Sequence, residues 1–251
     1  MDKVLSLWIN LLTKGFDLSF EFDKILRPIR TDDIVKKVMN AFLFKANRSL
    51  CSVILLYKNN LNEEGQVFTR IMFELMIDFE YLILALNSDS KKTVERMLDS
   101  IVLEKMKQIR ASNFAGIPQN IIEEYTKYES DAIGRYTMDD LKRLRQNGFS
   151  LVSIEDRAKK TGHSEEYNIV YRNFSRNVHN NDLIESFLQI CAYQANDYEL
   201  MKYSRDLLSM ETSFNTICSL MDIINKIYSL GFKNKIDDLI VERKKIKMGE
   251  T

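Results

Sequence analysis

The chain has 251 residues, of which 45% are hydrophobic, so it can bury a sizeable core in one large domain. The chain has 36 lysines and arginines and 36 aspartates and glutamates, so no net electrostatic field draws it toward nucleic acid. Any polyanion site must be local. With 8 glycines and 2 prolines, the sequence has few of the turn residues that all-β and α/β folds need, which favours long helices.

The cysteines and the N-terminus indicate the compartment. Each cysteine lies singly among apolar residues, without a partner at metal-ligand spacing, so we expect free thiols, no metal and no other cofactor. The three are Cys51, Cys191 and Cys218. The start lacks the features of a secretory signal, and no apolar run reaches the length of about 18 residues that a spanning helix needs. The sequence therefore predicts a cytoplasmic protein with no membrane contact.

Helical periodicity organises the first part of the chain. It predicts one helix over about 3–25 and a second from a cap at Thr31 or Asp32 to about Asn60. The clearest period follows, over about 64–87. Its apolar stripe consists of Val67, Phe68, Ile71, Met72, Leu75, Met76, Phe79, Leu82 and Ile83. We expect this helix to be central to the core.

The rest of the chain is predicted to be helical but less regular. A helix over about 90–111 precedes the stretch 112–164, which glycines and a proline break into an irregular helical insertion. We expect the 64–87 helix to pack against those at about 35–58, 182–195 and 205–230. The sequence thus predicts a single all-α domain over residues 1–251, a helical bundle of about five to seven main helices.

A basic helix is predicted at the C-terminus, over 233–248. It carries six lysines or arginines against three acids. Such a helix can hold a polyanion or can be a solvated face, and both interpretations remain open.

A charged stripe runs beside the apolar face of the 64–87 helix. Arg70, Glu74 and Asp78 recur at every fourth residue, which aligns them on one face and permits arginine–carboxylate contacts. A surface ion pair would contribute little to stability. Aromatic and aliphatic neighbours flank this face, however, which also allows partly buried charges that support a site, and both interpretations remain open.

The segment from Tyr171 to Asn181 concentrates the side chains that carry chemistry. If it is helical, Arg172, Arg176 and His179 share a face, because seven residues make about two turns. An imidazole titrates near physiological pH and can transfer a proton, while an arginine can bind a phosphate and stabilise charge developing on it.

These groups suit metal-independent cleavage of RNA, in which the ribose 2′-hydroxyl is the nucleophile. The protein then supplies a base, a cation and a way to hold the strand. The second histidine, His163, lies in a Thr-Gly-His-Ser turn, so one chain leaves the acid for the leaving group unassigned. A symmetric dimer would supply it from the other subunit.

Two further interpretations of this segment remain open. It could be a helix end, where His179 and the asparagines act as caps and the arginines pair with Glu165 and Glu166. It could also line a small-molecule pocket around Tyr171 and Phe174.

Two stretches carry a family resemblance. The first is Phe68-Thr69-Arg70-Ile71-Met72-Phe73-Glu74. The second leads from Ser153-Ile154-Glu155-Asp156-Arg157-Ala158 through Tyr167 to a Tyr-x-x-x-Ser-x-x-x-His run, formed by Tyr171, Ser175 and His179. They resemble an uncharacterised bacterial family of helical proteins, described as a domain of unknown function, over about residues 50–190. That resemblance implies no activity.

A broader resemblance is to the HEPN superfamily of helical ribonucleases from toxin–antitoxin and phage-defence systems. Its mark is an arginine, usually followed by a polar residue, with a histidine after four to six residues. Arg172 is followed by Asn173, and six residues lie between Arg172 and His179. The resemblance implies that Arg172 binds phosphate and that His179 is the acid/base. It also implies a homodimer, an RNA substrate, and an antitoxin or defence-system partner.

The expected function is therefore a HEPN-like, metal-independent endoribonuclease in bacterial defence or a stress toxin system. Its expected catalytic residues are Arg172 and His179, supported by Asn173, Arg176, Ser175, Tyr171, Arg70 and Glu74. The alternative is a non-catalytic helical interaction or sensor protein. In that protein the Arg, Glu, Ser and His side chains form a buried structural network.

Overall fold

The computed structural model describes residues 3–27, 34–171, 173–174 and 195–250. Every regular element in these residues is helical, so the prediction of an all-α bundle is confirmed. The main helices are α1 (Lys3–Leu26), α2 (Ile34–Lys58), α3 (Asn62–Ala111), α4 (Gln119–Gly134), α5 (Met138–Asn147), α6 (Ile154–Lys160), α7 (Ala195–Tyr228) and α8 (Lys233–Met248). Within these ranges, no helix combines the length and the apolarity needed to cross a membrane.

Helix α3 joins the two helices predicted over about 64–87 and 90–111. Its backbone leaves helical geometry at Asp89, where φ is −157° and ψ is 87°. The Asp89 carboxylate accepts a hydrogen bond from the backbone N–H of Lys92 at 3.2 Å, as an N-cap residue does. The expected break is therefore a capped kink without a loop.

The contacts between residues divide the chain into two compact units, one of residues 1–79 and 164–251 and the other of residues 80–163. In the first unit, α1 packs against α2, α7 and α8. The fully buried side chains of this unit include Leu11, Leu12, Phe22, Leu43, Leu50, Phe73, Ile77 and Phe214. The 64–87 helix was expected at the centre of the core, and its Phe73 and Ile77 are indeed fully buried. The expected core left out α1, whose apolar positions meet three other helices.

The second unit contains the rest of α3 with α4, α5 and α6. Its apolar cluster consists of Leu103, Leu141 and Leu144, with Tyr136 and Leu151 packed against it. The stretch 112–164, predicted to be irregular, supplies three of these helices. Three of its predicted breakers lie at helix ends: Pro118 precedes α4, Gly134 ends it, and Gly148 follows α5. The prediction of one domain over residues 1–251 stays a prediction.

Gly65 in α3 lies against the ring of Tyr57, and a Cβ there would come within 2.7 Å of Cε2. Tyr57 is 2% exposed and has no room to turn aside. We expect Gly65→Ala to lower the free energy of unfolding by about 2 kcal/mol, measured in urea, although alanine favours helix. Gly15→Ala is the matched control, because its Cβ would meet Ile217 Cγ2 at an ordinary 3.6 Å. Equal stability of the two variants would contradict this packing.

Candidate functional site

Arg70 lies at the centre of a group of polar contacts in the first unit. Its Nε donates to Glu74 Oε1 at 3.0 Å, one turn along α3, and its Nη2 donates to the Tyr171 hydroxyl at 2.8 Å. The guanidinium carbon also lies 4.3 Å from the centroid of the Tyr171 ring. An arginine–carboxylate contact predicted from the spacing is therefore present. We call Arg70, Glu74 and Tyr171 the Arg70 cluster.

The Arg70 side chain is 13% exposed, whereas that of Glu74 is 36% exposed. Its Nη1 is buried and has no hydrogen-bond partner in the described part of the chain. A buried donor without an acceptor costs about 1–3 kcal/mol. Unsatisfied groups of this kind are rare in proteins, and one reason for their presence is a role in binding or catalysis. The Nη1 donor of the guanidinium is thus not used by Glu74 or Tyr171.

An unusual backbone holds Tyr171. Residues Tyr167–Tyr171 form a π-helical turn, which contacts α7. The rings of Tyr167 and Tyr171 stack with centroids 4.7 Å apart and planes 18° apart. Isolated π-helical turns occur frequently at functional sites. This turn ends immediately before Arg172 in the sequence.

The structure brings together three of the predicted site residues, Arg70, Glu74 and Tyr171. Asn173 is exposed, whereas Phe174 next to it is fully buried, as expected of a core side chain rather than of a ligand pocket. The other predicted site residues lie outside the described residues, as does the helix predicted over about 182–195. These residues are Arg172, Ser175, Arg176 and His179.

The histidine outside the predicted site, His163, has a carboxylate partner in the second unit. Its Nε2 lies 2.7 Å from Glu80 Oε2, and the side chains are 21% and 22% exposed. Sequence reasoning missed this contact, because 83 residues separate the two positions and no local pattern joins them. In the described part of the chain, no group of three or more His, Cys, Asp or Glu side chains is arranged to hold a metal ion.

A second polar cluster, which sequence reasoning also missed, surrounds Asp206 on α7. The carboxylate accepts hydrogen bonds from Asn62 Nδ2 at 2.7 Å, Gln66 Nε2 at 3.1 Å and the Tyr57 hydroxyl at 3.4 Å. Burial raises the pKa of Asp206 above its usual value, against the effect of these bonds. Hydroxyl groups that bond to one another nearby belong to Thr69, Ser209 and Ser213. With neutral donors around a buried acid, this cluster is suited to holding α3 against α7.

The basic helix α8 pairs many of its cations with acids of the first unit. Its ion pairs are Lys233 with Asp222 and Asp237, Lys235 with Glu21, and Lys247 with Glu211. Of the two interpretations left open by the sequence, this pairing favours a solvated structural face over a polyanion site.

Comparison with known proteins identifies the family. The sequence profile of the "Family of unknown function (DUF5677)" matches residues 36–196, which is more than half of the chain. No curated protein and no solved structure matches the chain. The family match confirms the resemblance to a helical family of unknown function, which was predicted from the Arg70 and Tyr171 stretches. The HEPN resemblance stays a prediction. The chain belongs to the family of unknown function DUF5677.

Proposed function

We propose that this protein is a HEPN-like, metal-independent endoribonuclease that acts as a cytoplasmic homodimer in a bacterial defence or stress toxin system. The observation that carries the proposal is the Arg70 cluster. It joins the two stretches of the family pattern through the 2.8 Å bond from Arg70 to Tyr171. It also fixes the residue that directly precedes Arg172, the proposed phosphate-binding cation.

In the proposed reaction, His179 accepts the proton of a ribose 2′-hydroxyl, whose oxygen attacks the adjacent phosphorus. The bond from phosphorus to the 5′-oxygen breaks, and that oxygen takes a proton from an acid that the second subunit supplies. The products carry a 2′,3′-cyclic phosphate and a 5′-hydroxyl. Arg172 stabilises the charge that develops on the phosphate oxygens. Supporting roles fall to Asn173, Ser175 and Arg176. An antitoxin or other defence-system partner would restrain this activity.

Arg70 is a positioning residue in this scheme. Its planar guanidinium holds Glu74 and Tyr171 at the same time, which a lysine ammonium on a flexible stem would not do with the same geometry. The π-helical turn that ends at Tyr171 is fixed by this bond and by the stacked ring of Tyr167. A fixed turn limits the positions open to the next residues, and a misplacement of about 1 Å can reduce a rate about 100-fold.

The second candidate is a non-catalytic helical interaction or sensor protein. The observation in its favour is the same cluster, because Arg70 is 13% exposed and already bonded to Glu74 and Tyr171. A largely buried network of this kind can serve stability alone. In that case replacing Arg70 changes the stability of the protein and affects no reaction.

The test compares cleavage of a mixed RNA pool in EDTA by the wild type and by Arg70→Lys. We expect the wild type to cleave, and we expect Arg70→Lys to lower kcat about 100-fold with a smaller change in KM and an unchanged circular dichroism spectrum. Arg110→Lys is the matched control and should keep full activity, because Arg110 is 52% exposed and pairs with Glu129 in the second unit. Absence of cleavage by the wild type would contradict the ribonuclease and favour the non-catalytic interaction or sensor protein.

A further inference from the structure

Helix α2 carries a concentration of positive charge. Among its 25 residues are five lysines or arginines and no aspartate or glutamate. They are Lys36, Lys37, Lys45, Arg48 and Lys58. Because the whole chain has a formal net charge of zero, this helix is a local departure from the average. A local positive field attracts polyanions whatever the net charge of the protein.

One exposed face of α2 combines these cations with an aromatic ring. Lys37, Phe44, Lys45 and Arg48 are all exposed. Their spacing of seven, eight and eleven residues from Lys37 places them on one side of the helix, over a rise of about 16 Å. Lys37, Lys45 and Arg48 form no ion pair within the described residues, unlike three of the six cations of α8. Their charges are therefore free to meet an external anion.

Two guanidinium groups lie near the ring of Phe44. Arg27, just after α1, lies 5.4 Å from the ring centroid, and Arg48 lies 5.9 Å from it. The ring is nevertheless 42% exposed, although a phenylalanine is usually buried. Arg27 also bonds to the nearly buried Asp23 at 2.7 Å, which keeps its head group in place. An exposed ring flanked by guanidinium planes offers surfaces on which a nucleobase can stack.

We propose that the α2 surface, formed by Lys37, Phe44, Lys45 and Arg48 with Arg27, binds single-stranded RNA. The unpaired cations contact phosphates, and bases stack on Phe44 and the flanking guanidinium groups. Single strands fit this surface better than duplexes, because only unpaired bases expose their faces to a protein ring. The choice of RNA rests on the proposed function, whereas the surface itself rests on its charge and its exposed ring.

The test is fluorescence anisotropy of the full-length wild type with a labelled 2′-O-methyl oligouridine of about 15 nucleotides. This probe cannot be cut through its 2′-oxygen, so binding is measured apart from cleavage. We expect Lys45→Glu/Arg48→Glu to weaken binding at least about 10-fold. The slope of the logarithm of the binding constant against the logarithm of the salt concentration should become shallower by about 1.4, as for two lost phosphate contacts. Phe44→Ala should weaken binding about 5- to 100-fold.

The matched control is Lys244→Glu/Lys245→Glu on α8, which makes the same charge change at two exposed lysines and should leave binding unchanged. Equal weakening in this control, tight binding by the α2 variants, or no binding by the wild type would overturn the inference. Binding through α2 without any cleavage of RNA would uphold the inference and remove the proposed function. Cleavage of RNA without binding through α2 would overturn the inference and leave the proposed function in place.

Discussion

Replacing His179 by alanine is expected to lower the rate of RNA cleavage about 1000-fold, because the variant loses the group proposed to accept the 2′-hydroxyl proton. General acid–base catalysis contributes about 100- to 10,000-fold to enzymatic rates. Arg172→Ala should lose a comparable factor, since a single group that stabilises developing charge is worth about 100- to 1000-fold. The measurement is the initial rate of cleavage in EDTA, with circular dichroism as a check of folding.

His163→Ala supplies the matched control for the His179 prediction. His163 is bonded to Glu80 in the second unit and has no part in the proposed reaction. We therefore expect this variant to cleave RNA at the wild-type rate. Full activity in His179→Ala, or an equal loss in both histidine variants, would contradict the assignment of His179.

Asp206→Ala is expected to lower the free energy of unfolding by about 3 kcal/mol. The substitution removes the acceptor that the Tyr57 hydroxyl and Gln66 Nε2 share, and a lost hydrogen bond to a charged group costs about 1.5–3 kcal/mol. Asn62 loses a 2.7 Å bond as well, but water can replace it, since Asn62 is partly exposed. Removal of a buried carboxylate offsets part of this loss. Urea unfolding measures the difference, and a loss no larger than that of Asp237→Ala, whose side chain is 50% exposed, would contradict it.

The pH dependence gives a second readout for Asp206. Because burial raises the pKa of this acid above its value in the unfolded chain, the folded state binds the proton more tightly. The part of the stability that depends on protonation of Asp206 is therefore full at acid pH and is lost as the pH rises through its folded-state pKa. Asp206→Asn stays neutral, so the stability of the wild type minus that of Asp206→Asn should fall with increasing pH. A difference that grows with pH would contradict the raised pKa.

Local features of the fold could be predicted from the sequence. The helix predicted over about 3–25 is observed as Lys3–Leu26, because the 3.6-residue apolar period is a property of neighbouring residues. The break predicted near residue 89 is a kink at Asp89. The packing of α1 against three helices could not be predicted in this way, since it depends on which helices meet after the chain has folded.

The same distinction applies to the polar groups. The contact between Arg70 and Glu74 follows from their spacing of four residues, whereas the contact with Tyr171, 101 residues away, was suggested by the family pattern. The Asp206 cluster was missed because its members are common polar residues scattered over three helices. The positive charge of α2 is visible in the sequence, but acids elsewhere balance it in the net charge of the chain. Only the structure shows which of its cations are exposed and form no ion pair.

The most direct measurement of the central claim is the chemistry of the ends left on RNA by the wild-type protein in EDTA. The proposed reaction predicts fragments with a 2′,3′-cyclic phosphate at one end and a 5′-hydroxyl at the other, because the attacking oxygen belongs to the substrate ribose. Intact RNA, or fragments with a 5′-phosphate and a 3′-hydroxyl, would contradict a metal-independent endoribonuclease.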